Sequence, residues 1–195
     1  MIRRALLGAA LSTIVIVGPV SAAQSTVIAD DNFFSPSIMT VSQGDKVNWL
    51  NSTTPSDDND HTSTANLFNM WNKNLPNGSA ASTYFTFGRA GSFAYHCEVH
   101  PSTMKGSVSV KLKATRIASN SWTIRMATTN APAGFVHEVQ RRKKGTNTWF
   151  TLATTANATA RFDAPSAGTW QLRGRFKQTG GSATGYSPTL EVATQ

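Results

Sequence analysis

Hydrophobic residues in this chain recur at every second position, in short runs separated by Gly, Asn, Ser and Pro. Val47 and Trp49 alternate with polar residues, and Phe93, Tyr95 and Cys97 do the same further along the chain. A period of two is typical of half-buried β-strands, whereas the helical period of 3.6 is almost absent here. The pattern predicts an all-β protein.

The second half of the chain continues this alternation with a different polar partner. Trp170 and Leu172 face one side of a predicted strand, while Arg173 and Arg175 face the other. Such a strand has one buried and one solvated face, which indicates an antiparallel sheet with a cationic outer surface. Further strands are predicted at Phe135–Val139 and from Trp149 to Leu152.

One long stretch lacks a clear period. Residues 52–77 are polar and poorly periodic, which predicts a long loop with a short helical turn near 67–71. Long loops inside compact domains often carry function. The rest of the pattern divides into two β-sandwich domains, covering residues 24–111 and 112–195.

The first 23 residues have the pattern of a secretory signal peptide. Arg3 and Arg4 precede an apolar run over 5–20, and small residues follow up to Ala23. A basic start, a short apolar middle and a small-residue end are typical of a leader cleaved on export, here after Ala23 or Ala22. An uncleaved anchor is the alternative. We expect a mature protein without a transmembrane segment, in the periplasm, at the cell surface or outside the cell.

Charge separates the two predicted domains. Residues 24–111 contain five basic and seven acidic residues, a net charge of −2, whereas residues 112–195 contain eleven basic and three acidic residues, a net charge of +8. The overall charge of +8 therefore originates in the second half, since the leader supplies the remaining +2.

The sole cysteine lies in a segment rich in soft donors. Cys97 is followed by His100 and Met104, so a thiolate, an imidazole and a thioether occur within eight residues. One cysteine excludes an intramolecular disulfide and a cysteine-only zinc site. Copper prefers this donor set, and two His, one Cys and a weak axial Met form the blue-copper arrangement. The second histidine must come from elsewhere, and His61, on the long loop, is the candidate.

Strand parity places these donors together. Cys97 has the parity of the buried Tyr95, and Met104 has the parity of Val108 at the start of the next strand, so both point inward. His96 has the opposite parity and points away. The spacing thus predicts Cys97, Met104 and the intervening loop histidine at one end of a β-sandwich.

This segment resembles the cupredoxin family of plastocyanin- and amicyanin-like blue copper proteins. The resemblance covers residues 26–110 and is carried by Phe34-Ser35-Pro36, Trp49, Asn51, Cys97, His100, Pro101, Met104, Gly106 and Val108. It implies one copper per chain, cycling between Cu(I) and Cu(II) and held by His61, Cys97, His100 and Met104. It also implies a shell of Phe34, Pro36 and Tyr95. Three residues separate His100 from Met104, one more than in amicyanin-like loops and one fewer than in plastocyanin.

Other uses of these residues remain open at this point. A lone Cys97 can be a small buried apolar side chain, and a Cys/His pair can be a nucleophilic dyad, although no third group is evident. Zinc accepts Cys and His but binds a thioether poorly. In copper nitrite reductases a histidine beside the Cys ligates a second copper. Too few histidines remain for that here, so His96 is expected to be structural.

The second predicted domain resembles a fibronectin type III module. The resemblance rests on Phe135–Arg142, Trp149, the strand at 168–175 and Tyr186-Ser187-Pro188, with Trp122 as the early-strand tryptophan. Arg141-Arg142-Lys143-Lys144 is predicted at a hairpin tip, either as a solvated turn or as a patch for an acidic wall polymer or an acidic protein face. Nucleic acid is not expected, because the protein is exported and the patch lacks interleaved aromatic residues.

Together these features predict an exported, monomeric type 1 copper protein that transfers single electrons to a redox partner and is not an enzyme. The alternative is a surface-attached protein that stores or delivers copper, or an adhesion protein, without a redox role.

Overall fold

The computed structural model describes residues 22–52, 60–77 and 83–194. Every regular element in these ranges is a β-strand. The strands are β1 (Gln24–Asp30), β2 (Phe33–Ser35), β3 (Ile38–Val41), β4 (Lys46–Asn51), β5 (His61–Ala65), β6 (Asn72–Leu75), β7 (Thr83–Thr86), β8 (Gly91–His96), β9 (Lys105–Val110), β10 (Lys113–Ala118), β11 (Ser121–Arg125), β12 (Phe135–Lys143), β13 (Phe150–Thr155), β14 (Thr159–Asp163), β15 (Thr169–Gln178) and β16 (Leu190–Ala193). The all-β prediction is confirmed.

The predicted leader, apart from its last two residues, lies outside the described part of the chain, as do residues 53–59 of the predicted long loop. Within the described residues no helix is long and apolar enough to cross a membrane.

Strands β1–β9 form the first sandwich. One sheet has the order β2-β1-β4-β7 and the other β3-β9-β8-β5-β6. Alternation drives this packing, because Val47 and Trp49 of β4 and Phe93 and Tyr95 of β8 each place their side chains in the shared core. Trp49 is fully buried and its ring lies 5.5 Å from that of Tyr95. Large aromatic side chains thus fill the space between the two sheets.

Strands β10–β16 form the second sandwich. Its sheets have the orders β10-β11-β14 and β13-β12-β15-β16. Trp122 of β11 stacks on Phe162 of β14 with ring centroids 5.7 Å apart, and Leu172 of β15 is fully buried in the same core. Gly145 and Gly180 lie in turns of this sandwich, and both have a positive φ, a conformation that favours glycine.

The prediction of one long loop over 52–77 is wrong for two segments. Residues 61–65 form β5, and residues 72–75 form β6, which pairs with β5. The hydrophobic pattern does not predict these strands, because the buried positions of β5 hold hydroxyl side chains where hydrophobic ones are usual. Ser63 is fully buried and accepts a hydrogen bond from the Trp71 indole nitrogen at 3.0 Å. The expected helical turn near 67–71 is a non-helical turn instead.

The two sandwiches meet directly. The buried side chain of Gln43 donates hydrogen bonds to the backbone carbonyls of Lys111 (2.9 Å) and Arg125 (2.8 Å). Ser92, near the start of β8, forms a backbone bridge with Gly185. Since β8 ends beside Cys97, the second sandwich contacts the end of the first that is farthest from Cys97.

Candidate metal centre

Three predicted donors converge at one end of the first sandwich. The Nδ1 atom of His61 lies 3.8 Å from the Cys97 sulfur, and the Nδ1 atom of His100 lies 4.0 Å from it. The ligand atoms of all three residues are within 4.8 Å of one another. His61 and Cys97 are buried, whereas His100 is half-buried. The structure therefore brings together side chains separated by up to 39 positions in the sequence.

Different elements position the three side chains. His61 is the first residue of β5, not a loop residue as predicted, so paired backbone fixes it. Cys97 directly follows β8 and shares the inward face of Tyr95, in agreement with the parity argument. His100 lies in the turn before β9. The rigidity of the two strands leaves only the turn free to adjust.

The turn is closed by backbone hydrogen bonds. The Cys97 amide donates to the Met104 carbonyl at 3.0 Å, and the Met104 amide donates to the His100 carbonyl at 2.9 Å. Met104 is fully buried and belongs to the same core cluster as Cys97. These bonds hold the thiol, imidazole and thioether residues on one compact loop.

Thr62 is a site residue that the sequence reasoning missed. Its backbone amide donates to the Cys97 sulfur at 3.3 Å, and its hydroxyl accepts a hydrogen bond from the Glu98 amide at 2.8 Å. An N–H directed at a thiolate stabilises the negative charge and tunes a metal bound there. Only its position directly after His61 could have drawn attention to it.

An apolar shell surrounds the donors, although not the full one predicted. The rings of Phe34 and Tyr95 are buried 4.8 Å apart, whereas Pro36 is exposed. Burial raises the pKa of Tyr95 to about 12, against a smaller opposing effect of the neighbouring Trp49 side chain. The Tyr95 hydroxyl therefore stays neutral beside the site.

The donor set fits a single soft or borderline metal ion. Separations near 4 Å between sulfur and nitrogen are roughly twice a metal–nitrogen bond of about 2 Å, so one ion fits between the three atoms. Two imidazole nitrogens and one thiolate, with a buried thioether nearby, match the preference of copper better than that of zinc or magnesium.

His96 has no part in this cluster. Its Nδ1 atom is 2.7 Å from the side-chain oxygen of Asn66, on the opposite face of β8. Among residues 22–52, 60–77 and 83–194, His61, Cys97 and His100 form the one group of three or more His, Cys, Asp or Glu side chains close enough to share an ion.

Comparison with known proteins identifies the first sandwich. Residues 22–111 match the model of a family described as copper binding proteins, plastocyanin/azurin family. This part of the chain is a cupredoxin domain. Copper is the cofactor of the family, and the cupredoxin domain places His61, Cys97 and His100 where a copper ion can be bound. No curated protein matches the chain.

Several solved structures are similar to the cupredoxin domain. Amicyanin from Paracoccus versutus is 23% identical, with 49% of this chain and 86% of that chain covered and a TM-score of 0.37. A purple cupredoxin from Nitrosopumilus maritimus is 26% identical, with coverages of 46% and 99% and a TM-score of 0.35. A copper-containing nitrite reductase from Thermus scotoductus is 21% identical, with coverages of 51% and 25% and a TM-score of 0.39.

The basic run of the second sandwich is placed differently from the prediction. Arg141, Arg142 and Lys143 are the last residues of β12, and only Lys144 lies in the turn. The expectation that aromatic residues are absent from the patch is also wrong. The Arg142 guanidinium lies 4.5 Å from the Trp149 ring centre, because folding brings together residues that the sequence separates.

Proposed function

We propose that this protein is an exported type 1 copper protein that carries single electrons. His61, Cys97 and His100 would hold the copper, and Met104 would be a weaker fourth ligand. The observation that supports this most is the convergence of two imidazole Nδ1 atoms on one buried thiol, at 3.8 and 4.0 Å. Copper bound there would supply a one-electron Cu(II)/Cu(I) couple.

The surroundings of the site favour electron transfer over storage. Cys97 is held by its own backbone bond to Met104 and by the Thr62 amide, and His61 is held in a paired strand. Donors fixed in this way move little when the metal changes oxidation state, which keeps the reorganisation cost of electron transfer small. A storage or delivery site would instead benefit from mobile ligands that can release the metal.

His100 is the proposed electron exit. Its imidazole is half-buried while the thiol and His61 are buried, so its edge is the part of the donor set nearest to solvent. The neighbouring Val99 is 53% exposed and offers an apolar contact for a partner protein. We propose a redox partner that approaches this end of the cupredoxin domain.

A copper titration tests the proposal. Cu(II) added to the purified mature chain should produce an intense visible absorption band that saturates at one copper per chain, together with reversible one-electron cycling. A colourless protein at one bound copper per chain would contradict the blue-copper assignment.

A second candidate function is surface-attached copper storage or delivery. The net charge of +8 on residues 112–195, beside a slightly acidic cupredoxin domain, favours a role for the second sandwich in attachment to an acidic polymer or protein. Very tight Cu(I) binding without reversible cycling would support delivery over electron transfer. For both candidate functions we propose a protein that is not an enzyme. We also propose that it is a monomer.

The proposed domain limits are consistent with copper binding by the first sandwich and attachment by the second. We propose a leader over 1–23, a cupredoxin domain over 24–111 and a fibronectin type III-like domain over 112–195. The orders β10-β11-β14 and β13-β12-β15-β16 support the last assignment, since a three-stranded sheet faces a four-stranded one. Leu112, the first residue after the proposed boundary, is buried in the second core.

A further inference from the structure

One face of the second sandwich carries a row of alternating guanidinium groups and aromatic rings. The Trp149 ring is contacted by the guanidiniums of Arg142 (4.5 Å) and Arg173 (4.2 Å), and the Tyr186 ring by those of Arg173 (3.9 Å) and Arg175 (4.4 Å). Each distance joins the guanidinium carbon to the ring centre. We call these five residues the arginine–aromatic row.

Hydrogen bonds from neighbouring strands fix each guanidinium. Strands β12 and β15 pair directly, and each arginine of the row uses its Nε atom to bond a side chain on the other strand. The bonds are Arg142 to Gln171 at 2.7 Å, Arg173 to Gln140 at 3.0 Å and Arg175 to Glu138 at 2.8 Å. Guanidiniums held at both the Nε edge and the flat face lose little conformational freedom when a ligand binds.

Two members of the row lack an acidic partner. Within the described residues, Arg175 forms an ion pair with Glu138, which is only 7% exposed, whereas no ion pair joins Arg142 or Arg173 to a carboxylate. Lys177 and Lys144 pair with Glu138 and Glu191, respectively. The sheet therefore holds two ordered guanidiniums without a carboxylate partner and already binds two carboxylates of its own.

The arrangement narrows the kind of partner. Two guanidiniums already contact each of the Trp149 and Tyr186 rings, so the ring surface that they cover is not free for stacking nucleobases. The row also lacks the apolar pocket that an anchor side chain of a folded protein partner usually fills. The row instead offers guanidinium groups whose central carbons are no more than about 9 Å apart at each ring. This spacing suits a ligand that carries repeated carboxylate groups.

We propose that the arginine–aromatic row binds a linear polysaccharide bearing carboxylate groups. Guanidiniums pair with carboxylates in a bidentate geometry. The amide of Gln140, whose oxygen accepts from Arg173, keeps its N–H₂ group for a sugar hydroxyl. The choice of a wall polysaccharide rests on the proposed export, whereas the binding itself is independent of copper.

The position of the row leaves the metal centre accessible. Tyr186 follows Gly185, which pairs with Ser92 near the start of β8, and Cys97 lies beyond the end of that strand. Five residues of extended strand span roughly 17 Å. A polymer bound at the row would hold the protein while the His100 end faces outward, so polymer binding should leave the copper absorption unchanged.

Binding of polygalacturonate to the full mature chain tests the proposal, with and without copper. We expect measurable affinity at low salt that falls steeply with ionic strength. The double variant Arg142→Gln/Arg173→Gln should weaken binding about tenfold, since two exposed ion pairs are lost. The matched control Lys111→Gln/Lys113→Gln removes the same charge from exposed positions outside this face and should change affinity less than threefold.

Several outcomes would overturn the assignment. Absence of polygalacturonate binding at low salt, or equal losses in both double variants, would show that the row is not a specific site. Tighter row-dependent binding to polyglutamate or duplex DNA than to polygalacturonate would assign the row to another polymer. Arg142→Lys/Arg173→Lys keeps the charge but not the fork and should restore binding only in part. Unchanged near-UV circular dichroism confirms that the variants fold.

Discussion

The two sandwiches differ in how deeply their candidate functional side chains are buried. In the cupredoxin domain the thiol of Cys97 and the imidazole of His61 are at most 1% exposed, whereas in the second domain Arg142 and Arg173 lie half-buried on an outer sheet face. Buried donors exclude water and fix one ion in a discrete site. Cations on the surface stay solvated. They therefore select partners through the spacing of their charges, and their binding weakens as the salt concentration rises.

Two buried histidines show that burial alone does not make a ligand. His61 and His137 are each 1% exposed. His61 faces the Cys97 sulfur, whereas His137 packs against Phe176 near Arg89, with ring centroids of His137 and Phe176 5.6 Å apart. Burial, followed by the charge of Arg89, lowers the pKa of His137 to about 4, against a weaker opposing effect of the Thr129 backbone. The neighbouring groups decide what each imidazole can do.

The largest expected effect breaks the buried site. Cys97→Ser removes the thiolate whose interaction with Cu(II) would give the visible colour, so we expect complete loss of the absorption band. His96→Gln is the matched control, because His96 is adjacent in sequence but contacts Asn66 on the opposite face, and its band should be retained. A visible band that survived in Cys97→Ser would remove the thiolate from the site.

The next effect compares the packing of the two cores. A Cβ atom at Gly106 would overlap the buried ring of Tyr95, whereas one at Gly174 would meet the end of the Leu112 side chain at 2.9 Å. Because a ring enclosed by the core cannot move aside, Gly106→Ala should destabilise the cupredoxin domain by about 3 kcal/mol, and Gly174→Ala its own domain by about 1 kcal/mol. Thermal loss of the copper band reports the first transition, and circular dichroism the second. Equal destabilisation would mean that the Tyr95 ring yields readily.

Sequence patterning could predict the fold class and the loop that carries Cys97, His100 and Met104. Strand parity alone placed Cys97 inward and His96 outward, and the structure agrees with both. These residues were predictable because strand direction fixes every second side chain and the donors lie within one short turn.

Tertiary contacts supplied what the sequence could not. Strand β5 was missed because its buried positions hold Thr and Ser, whose hydroxyls bond within the core and so erase the apolar signal. Thr62 acts through its backbone amide, which no side-chain pattern reveals. The arginine–aromatic row joins residues from 142 to 186, so its interleaving exists only after folding.

Acidification should destabilise the second sandwich through the buried His137. The pKa of His137 is about 4 in the folded state and near 6.5 when unfolded, so the unfolded chain binds more protons between these values. Its contribution is therefore retained above pH 6.5 and lost as pH falls towards 4, by about 2 kcal/mol at pH 5. His137→Leu should flatten this dependence in urea unfolding followed by circular dichroism, while His96→Gln should not. An unchanged slope in His137→Leu would assign the acid sensitivity to other groups.

The smallest effect concerns the join between the domains. Gln43→Ala removes two hydrogen bonds donated to the Lys111 and Arg125 carbonyls and one accepted from the Arg125 side chain. Since solvent can partly replace these partners at the edge of the join, we expect a loss of about 1 kcal/mol. The exposed Gln24→Ala is the control and should be neutral. If the join couples the domains, their two unfolding transitions will move apart in Gln43→Ala. Transitions that keep their separation would show that the buried site and the cationic face belong to mechanically independent units.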